Sequence, residues 1–519
     1  MATRKSSIEK KVPRSKAHCV LVGDPFFLKG SDRVQYNRHL AKALDQESLT
    51  HGSKPLSWKP APAPNPSWLY VDETDVGVMP IFNFSATSYY ARQGLLQPLE
   101  ELFPDYNTRF LESGWRKGVV GAHLYSVPLH ISIRLLFYRR DLLAKHGFEP
   151  PLTWDQLIAQ AKAIQKAEKD PQLHGLLFNF NALLRFSVFL DHIWSAGKDL
   201  YESTPRWKLD RRGLEAALLR VKSFFKSGIT PADALASDYE WSYKEFLAGH
   251  GVFLHNWSDG IRMIRELPLE EQERFGWCAL PSVDAKVPGR SMLGGPSYVI
   301  PKATRYPGGA GRILQRLMQK DFQSWYAENL GWPFPGSKST YFDAKVQRAK
   351  PYLVEAESLL SRGKLLEECV YLQQHHMDWQ SIGSQEITRF LEGHSSSSEA
   401  VQRLEQRLAP LLPSPPWSGL TGRALELIQS RLEQPLTVGT LAKELQVSPE
   451  HLSRVFKAQA GQGLHESIHL AKIERAKALL KQSPLAVSEV AYRLSYKTPQ
   501  HFSRIFKELA GRSPKDYRS

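Results

Sequence analysis

Two stretches fifty residues apart carry side chains suited to reading duplex DNA. SPEHLSRVFK (Ser448 to Lys457) offers Glu450, Ser453, Arg454 and Lys457, and TPQHFSRIFK (Thr498 to Lys507) offers Gln500, His501, Ser503, Arg504 and Lys507. Arg can bond guanine bidentately, Gln can address adenine, and Ser or Lys suits phosphate oxygens. A competing chemistry lies between them. HESIH (His465 to His469) fits H-E-x-x-H, in which two histidines one helical turn apart bind zinc and the glutamate serves as base. A hydrolase would also need a third ligand and a substrate cleft, and this segment opens the stretch that joins the two DNA-reading units. The sequence offers no nucleophile elbow, phosphate loop or paired-carboxylate motif, so neither an enzyme nor a cofactor is expected.

The elements that must position these residues are duplicated. Leu441, Ala442 and Leu445 recur as Val490, Ala491 and Leu494, and Leu452, Arg454, Val455 and Phe456 recur as Phe502, Arg504, Ile505 and Phe506. The offset is 49 before the turn and 50 after it, so one residue has been added between two short helices. Ser448 and Thr498 are helix caps followed by proline at the first helical position, where a missing N–H costs nothing. Apolar residues then fall at helical spacing, which predicts two helix-turn-helix units with the polar residues facing outward.

In these residues the chain resembles the AraC/XylS transcriptional regulators. The resemblance covers Thr421 to Ser519, including IERAKALL (Ile473 to Leu480), FSRIFKELAG (Phe502 to Gly511) and SPKDYR (Ser513 to Arg518). It implies two helix-turn-helix motifs joined by a long helix. The departure is Ser495, where the family usually has Gly, and a left-handed backbone there would cost about 1 kcal/mol.

At 519 residues the chain should form two to four structural units, and 42% hydrophobic content marks it as globular. The net charge of +15 is concentrated at the ends: 16 Lys and Arg against 9 Asp and Glu over 421–519, and 6 against 1 over 1–16. Such basic ends are where a phosphate backbone would be met. Cys19, Cys278 and Cys369 are scattered and odd in number, which favours a reducing compartment over a disulfide framework. The basic arm 1–17 lacks the apolar run of an export signal and reads as disordered. No stretch approaches a membrane span, so a cytoplasmic protein without a membrane partner is expected.

Between the ends, strands alternate with helices, from HCVLVGDPFF (His18 to Phe27) through DVGVMPIFN (Asp75 to Asn83), TWDQLIAQAKAIQKA (Thr153 to Ala167) and GLLFNF (Gly175 to Phe180). This pattern predicts an α/β domain. The Pro-rich segment Ser53 to Ser67 reads as a surface loop.

A second resemblance enters here. ARQGLLQPLEELF, GAHLYSVPLH, LLFYRRDLLAKHGFEPPLTWDQLIAQAKAI, FLAGHGVFLHNWSDG and GGPSYVIPK follow one another as in an extracellular solute-binding protein of sugar transporters. The resemblance spans 18–412 and implies two α/β lobes joined by a hinge, with ligand in the cleft between them. It implies cleft loops at Phe82 and Asn83, His130, Trp194, Trp257 with Asp259, Gly295 with Ser297, and Trp332. Trp257 and Asp259 lead, since sugar sites pair aromatic faces with carboxylates. Arg134 and Arg185 either mark an anionic ligand or are surface charges.

The fold expected is thus an α/β two-lobed periplasmic-binding-protein-like domain (18–412), a Pro-rich linker (413–420), and an all-α domain with two helix-turn-helix motifs (421–519). The function expected is a regulator that senses a small solute, first a carbohydrate, and binds double-stranded DNA. RNA polymerase and a second copy of the chain are candidate partners. The alternatives are a transporter-associated binding protein and a regulator answering an anionic or peptide ligand.

Overall fold

The computed structural model describes residues 19–22, 30–50, 57–60, 69, 71, 74–81, 86–120, 123–182, 184–198, 200–202, 208–237, 239–330, 333–364, 376–411, 420–460, 463–482, 485–510 and 513–518. The basic arm, nearly all of the Pro-rich linker, Phe82, Asn83 and Trp332 fall outside these residues. The chain divides into two compact units, the first made of 1–150, 253–280 and 290–374, the second of 151–252, 281–289 and 375–519.

The first unit holds a five-stranded sheet in the order Ser57–Pro60, Cys19–Val22, Val76–Ile81, Ser297–Val299 and Val127–Pro128. Its first three strands run parallel and the remaining pairings are antiparallel. Within 53–67, read as a surface loop, Ser57–Pro60 is instead a strand that pairs residue for residue with Cys19–Val22, and the rest of that segment lies outside the described residues. Proline is admissible there because the strand lies at the sheet's edge, where an outward N–H is not needed. Helix Gly30–Thr50 buries Tyr36, Leu40, Ala43 and Leu44 at helical spacing against Tyr298, Ile313, Leu317 and Phe322. The buried hydroxyls of Tyr36 and Tyr298 satisfy each other at 2.6 Å.

Strand His130–Arg139 organises the rest of this unit. Nine of its ten residues are buried, on both faces, with Tyr138 half-buried, as in a sheet covered on both sides. It pairs antiparallel with Phe253–Trp257, with Phe275–Cys278, with Leu293 and Gly294, and with Phe334–Pro335.

In the second unit, helix Trp154–Glu168 starts from a capping box of Thr153 and Gln156 and packs on strand His174–Phe178. Helix Arg185–Trp194 is buried along its whole length. Gly383 on helix His376–Leu391 passes so close to Phe186 that an added Cβ would lie 2.1 Å from the ring. Arg185 is no surface charge: it is 5% exposed and donates to the carbonyls of Phe180 and Leu235 and to Thr388 Oγ1.

The C-terminal helices are α1 (Leu420–Ser430), α2 (Val438–Glu444), α3 (Pro449–Ala460), α4 (Leu464–Gln482), α5 (Val487–Arg493), α6 (Pro499–Ala510) and α7 (Pro514–Arg518). They enclose two separate cores. One gathers Ala424, Ile428, Leu441, Leu445, Leu452, Phe456, Leu464 and Ile468, and the other gathers Ile473, Ala476, Leu480, Val490, Leu494, Phe502 and Phe506. The inserted residue is where the repeat offset places it, since residues 445–448 separate α2 from α3 and residues 494–498 separate α5 from α6. Ser495 takes the left-handed backbone (φ 58°), and its counterpart Gln446 does the same (φ 57°).

Candidate nucleic-acid interface and candidate solute site

Each second helix is built as its sequence dictates. Ser448 Oγ accepts from the backbone N–H of His451 at 3.1 Å, and Thr498 Oγ1 accepts from that of His501 at 3.2 Å, so both caps are made. Phe456 and Phe506 are fully buried, which turns the opposite faces outward. Glu450, Arg454 and Lys457 are exposed on α3, as are Gln500, Arg504 and Lys507 on α6, while Ser453, His501 and Ser503 are half-buried. Arg454 Nη2 lies 3.1 Å from Nδ1 of His451. His451 therefore belongs to the α3 surface, and the repeat held the signal for it, because it is the counterpart of His501.

His501 leans on the aromatic cluster at the start of α4. Its ring lies 5.8 Å from Tyr496 and 6.1 Å from His469, and the rings of His469 and His465 are 4.5 Å apart. Among the described residues no group of three or more His, Cys, Asp or Glu is placed to hold a metal. His469 Nδ1 instead meets the hydroxyl of Tyr496 at 3.1 Å. Burial, then the neighbouring His465, His501 and Lys472, lowers His469 to about 4, against a small opposing effect of Glu508. The unfolded chain, with a histidine near the ordinary value of about 6.5, binds the proton more readily. Stability should therefore fall as pH drops from about 6.5 towards about 4. Urea melts at pH 7 and pH 4.5 should show this loss, and His469→Gln should flatten it.

Sequence-predicted solute residues gather in the first unit. Trp257 ends strand Gly251–Trp257 and stands opposite Arg134 in the ladder. The Arg134 guanidinium covers one face of the indole, 4.4 Å from the ring centroid, and both side chains are buried. Arg134 too is therefore an interior charge and not a surface one. The following turn is pinned to the central strand: Ser258 N–H donates to Ile133 O at 2.8 Å and Ser258 Oγ accepts from Ile133 N–H at 3.2 Å. This brings Asp259 to Ser132, whose hydroxyl donates to Oδ1 at 3.2 Å.

His130 begins the same strand and is buried, 3.4 Å from the Tyr326 hydroxyl. Burial and the nearby charges of Lys117 and Lys350 push its imidazole well below the usual range, so it is neutral near pH 7. Gly295 adopts φ 99° and passes close enough that a Cβ would meet His130 O at 2.5 Å. Lys117 Nζ donates to the carbonyls of Gly295 (2.6 Å) and Gly294 (3.3 Å). Ser297 is buried in the neighbouring sheet, and its Oγ has no partner among the described residues. Trp194 closes helix Arg185–Trp194 in the second unit and is 5% exposed, so it lies in a helix and not in a loop. The cluster of His130, Ser132, Trp257 and Asp259 brings together an indole, a carboxylate acceptor and a neutral imidazole. Sequence reasoning missed Lys117 and Ser132, which sit in segments without a distinguishing motif.

Known proteins match these two parts separately. Residues 441–519 match the family model described as a helix-turn-helix domain, and residues 74–315 match that of the bacterial extracellular solute-binding protein. The HTH-type transcriptional regulator GlxA of Rhizobium meliloti is 37% identical over 90 residues, covering 17% of this chain and 28% of that protein. A putative binding protein of Brucella abortus is 26% identical over 250 residues, covering 47% of this chain and 58% of that one. The chain thus spans less than two thirds of the length of either relative. A solved structure of maltose-bound T. maritima MalE3 superimposes with a TM-score of 0.64 at 21% identity, over 76% of this chain and all of that one, which shows a shared fold. The chain joins a bacterial extracellular solute-binding-protein domain, of periplasmic-binding-protein-like α/β fold, to a C-terminal AraC-type helix-turn-helix domain. No helix among the described residues is long and apolar enough to cross a membrane.

Proposed function

We propose that the chain is a DNA-binding transcriptional regulator that senses a small solute, first a carbohydrate, and acts in the cytoplasm. The observation that carries this reading is the duplicated, capped helix with an exposed Arg, Lys and polar face in one chain with a solute-binding fold. Trp257 and Asp259 are the leading proposed ligand contacts, and His130 and Ser297 are further members of the set. Asn83, Trp194 and Trp332 complete the proposed set. Ligand would favour one conformation of the sensor region and thereby alter dimerisation or the presentation of α3 and α6. RNA polymerase fits as a further partner of an activator.

The test is thermal melting and calorimetry of the full chain against mono- and oligosaccharides. A true ligand at a hundred times its Kd should stabilise the sensor by about 2.7 kcal/mol. Trp257→Ala and Asp259→Asn should each abolish that gain. A runner-up ligand, an acidic sugar or other carboxylate, is favoured by the interior cations Arg134 and Lys117. Binding of such an acid, but of no neutral sugar, would select it.

A further inference from the structure

A single helix joining two small cores leaves each core free to twist about that helix's axis. In α4 the changeover between cores is abrupt: Leu464, Ile468 and Ala471 pack into the first core, and Ile473, Ala476, Leu479 and Leu480 into the second. Lys472 stands at the changeover and is 4% exposed. Its ammonium donates to the carbonyl of Gln434, before α2, at 3.2 Å and to that of Leu494, at the end of α5, at 2.7 Å. Glu433 extends the link. One carboxylate oxygen meets Arg475 of α4 and the other Arg493 of α5, each at 3.1 Å. Hydrogen bonds from Arg493 and then Arg475 hold that carboxyl below its usual range. Ser495, in its left-handed turn, donates its hydroxyl to Glu433 O at 2.8 Å.

Residues 433–434 of the first half thus grip residues 493–495 of the second at points away from the α4 axis. The exposed ion pairs alone would be weak, but the buried ammonium is not dispensable, because without it two carbonyls lose their donor. Ser495 also gains a purpose that Gly could not serve.

We infer that Lys472, Glu433 and Ser495 form a strut that fixes α3 and α6 at one spacing and one rotational phase, so that the chain accepts only DNA whose two contact sites are separated by a set number of base pairs. This rests on the DNA-binding reading above. These three are positioning residues, since they hold the reading helices and need not touch DNA.

The experiment uses the full chain. Duplexes are first enriched from a random-sequence library, and the winning site is remade with one base pair inserted or deleted between its two halves. One base pair rotates the second half by about 34° and moves it by about 3.4 Å, so a rigid reader should bind the altered sites at least about tenfold more weakly. The double variant Glu433→Ala, Ser495→Gly keeps both cores and relieves the left-handed turn. It should bring the ratio between original and altered spacing below about threefold while keeping its affinity for a duplex carrying one half alone. Lys472→Met, which keeps the aliphatic stem, should do the same. An unchanged ratio in both variants overturns the inference. So does an equal loss on every duplex with a lowered melting temperature, because the strut would then hold the fold and not the phase. If the wild-type chain enriches no sequence at all, the DNA reading itself falls, and the strut with it.

Discussion

Replacing Arg454 or Arg504 by alanine is expected to weaken binding to a selected operator by about 1 to 3 kcal/mol each, and to relax preference at two separate positions. Both guanidiniums are exposed on the faces opposite buried phenylalanines, so neither substitution removes packing. The two sites are not identical in support. Arg454 has His451 one turn earlier, 3.1 Å from Nη2, whereas the counterpart His501 leans on Tyr496 and His469. A planar fork steadied by a neighbour loses less freedom when it pairs with a base, so Arg454→Ala should be the costlier of the two. Fluorescence anisotropy on the selected duplex and a scrambled one would measure both effects. Equal weakening on the two duplexes would mean that the arginines only grip phosphate, and the slope of affinity against salt should then fall by about one for each.

The helix-turn-helix domain was legible because its information is local. Caps, proline at the first helical position and apolar spacing lie within ten-residue windows, and repetition doubled the signal. The left-handed Ser495 followed from its place in the turn, though the repeat could equally have pointed to Gln446, which shares that backbone. His451 was missed although it aligns with His501. The α/β alternation was legible for the same local reasons, as in the capped helix Trp154–Glu168. What could not be read was pairing in the third dimension. Arg134 in an apolar strand looks like a surface charge or an anion contact until register places it against Trp257. Lys472 looks like an ordinary helix lysine until two turns, each remote in sequence, bring their carbonyls to it. Ser57–Pro60 was hidden by prolines that only an edge strand tolerates.

Truncation of the two repeat phenylalanines should have the largest effect of any change in the C-terminal domain. Phe456 and Phe506 are fully buried, each in its own core. Phe506 also meets Phe502 and Tyr517 edge-on, with centroids 5.6 Å and 5.5 Å away. Phe→Ala in such a core removes the burial of a ring and leaves a cavity, a loss of about 3 to 5 kcal/mol. A small domain is stable by only about 5 to 15 kcal/mol, so either change takes a large share of it. Because the apolar cores are separate, joined by α4 and by the polar contacts of Glu433, Gln434 and Lys472, the damage should be local. Hydrogen exchange of Phe506→Ala should lose protection in α5 and α6 while α2 and α3 stay protected, and Phe456→Ala should show the reverse. Unchanged melting in both variants would remove the packing basis of the repeat. Loss of protection in both halves together would mean that α4 and its cross-links make one cooperative core, and that the two helix-turn-helix units cannot open independently.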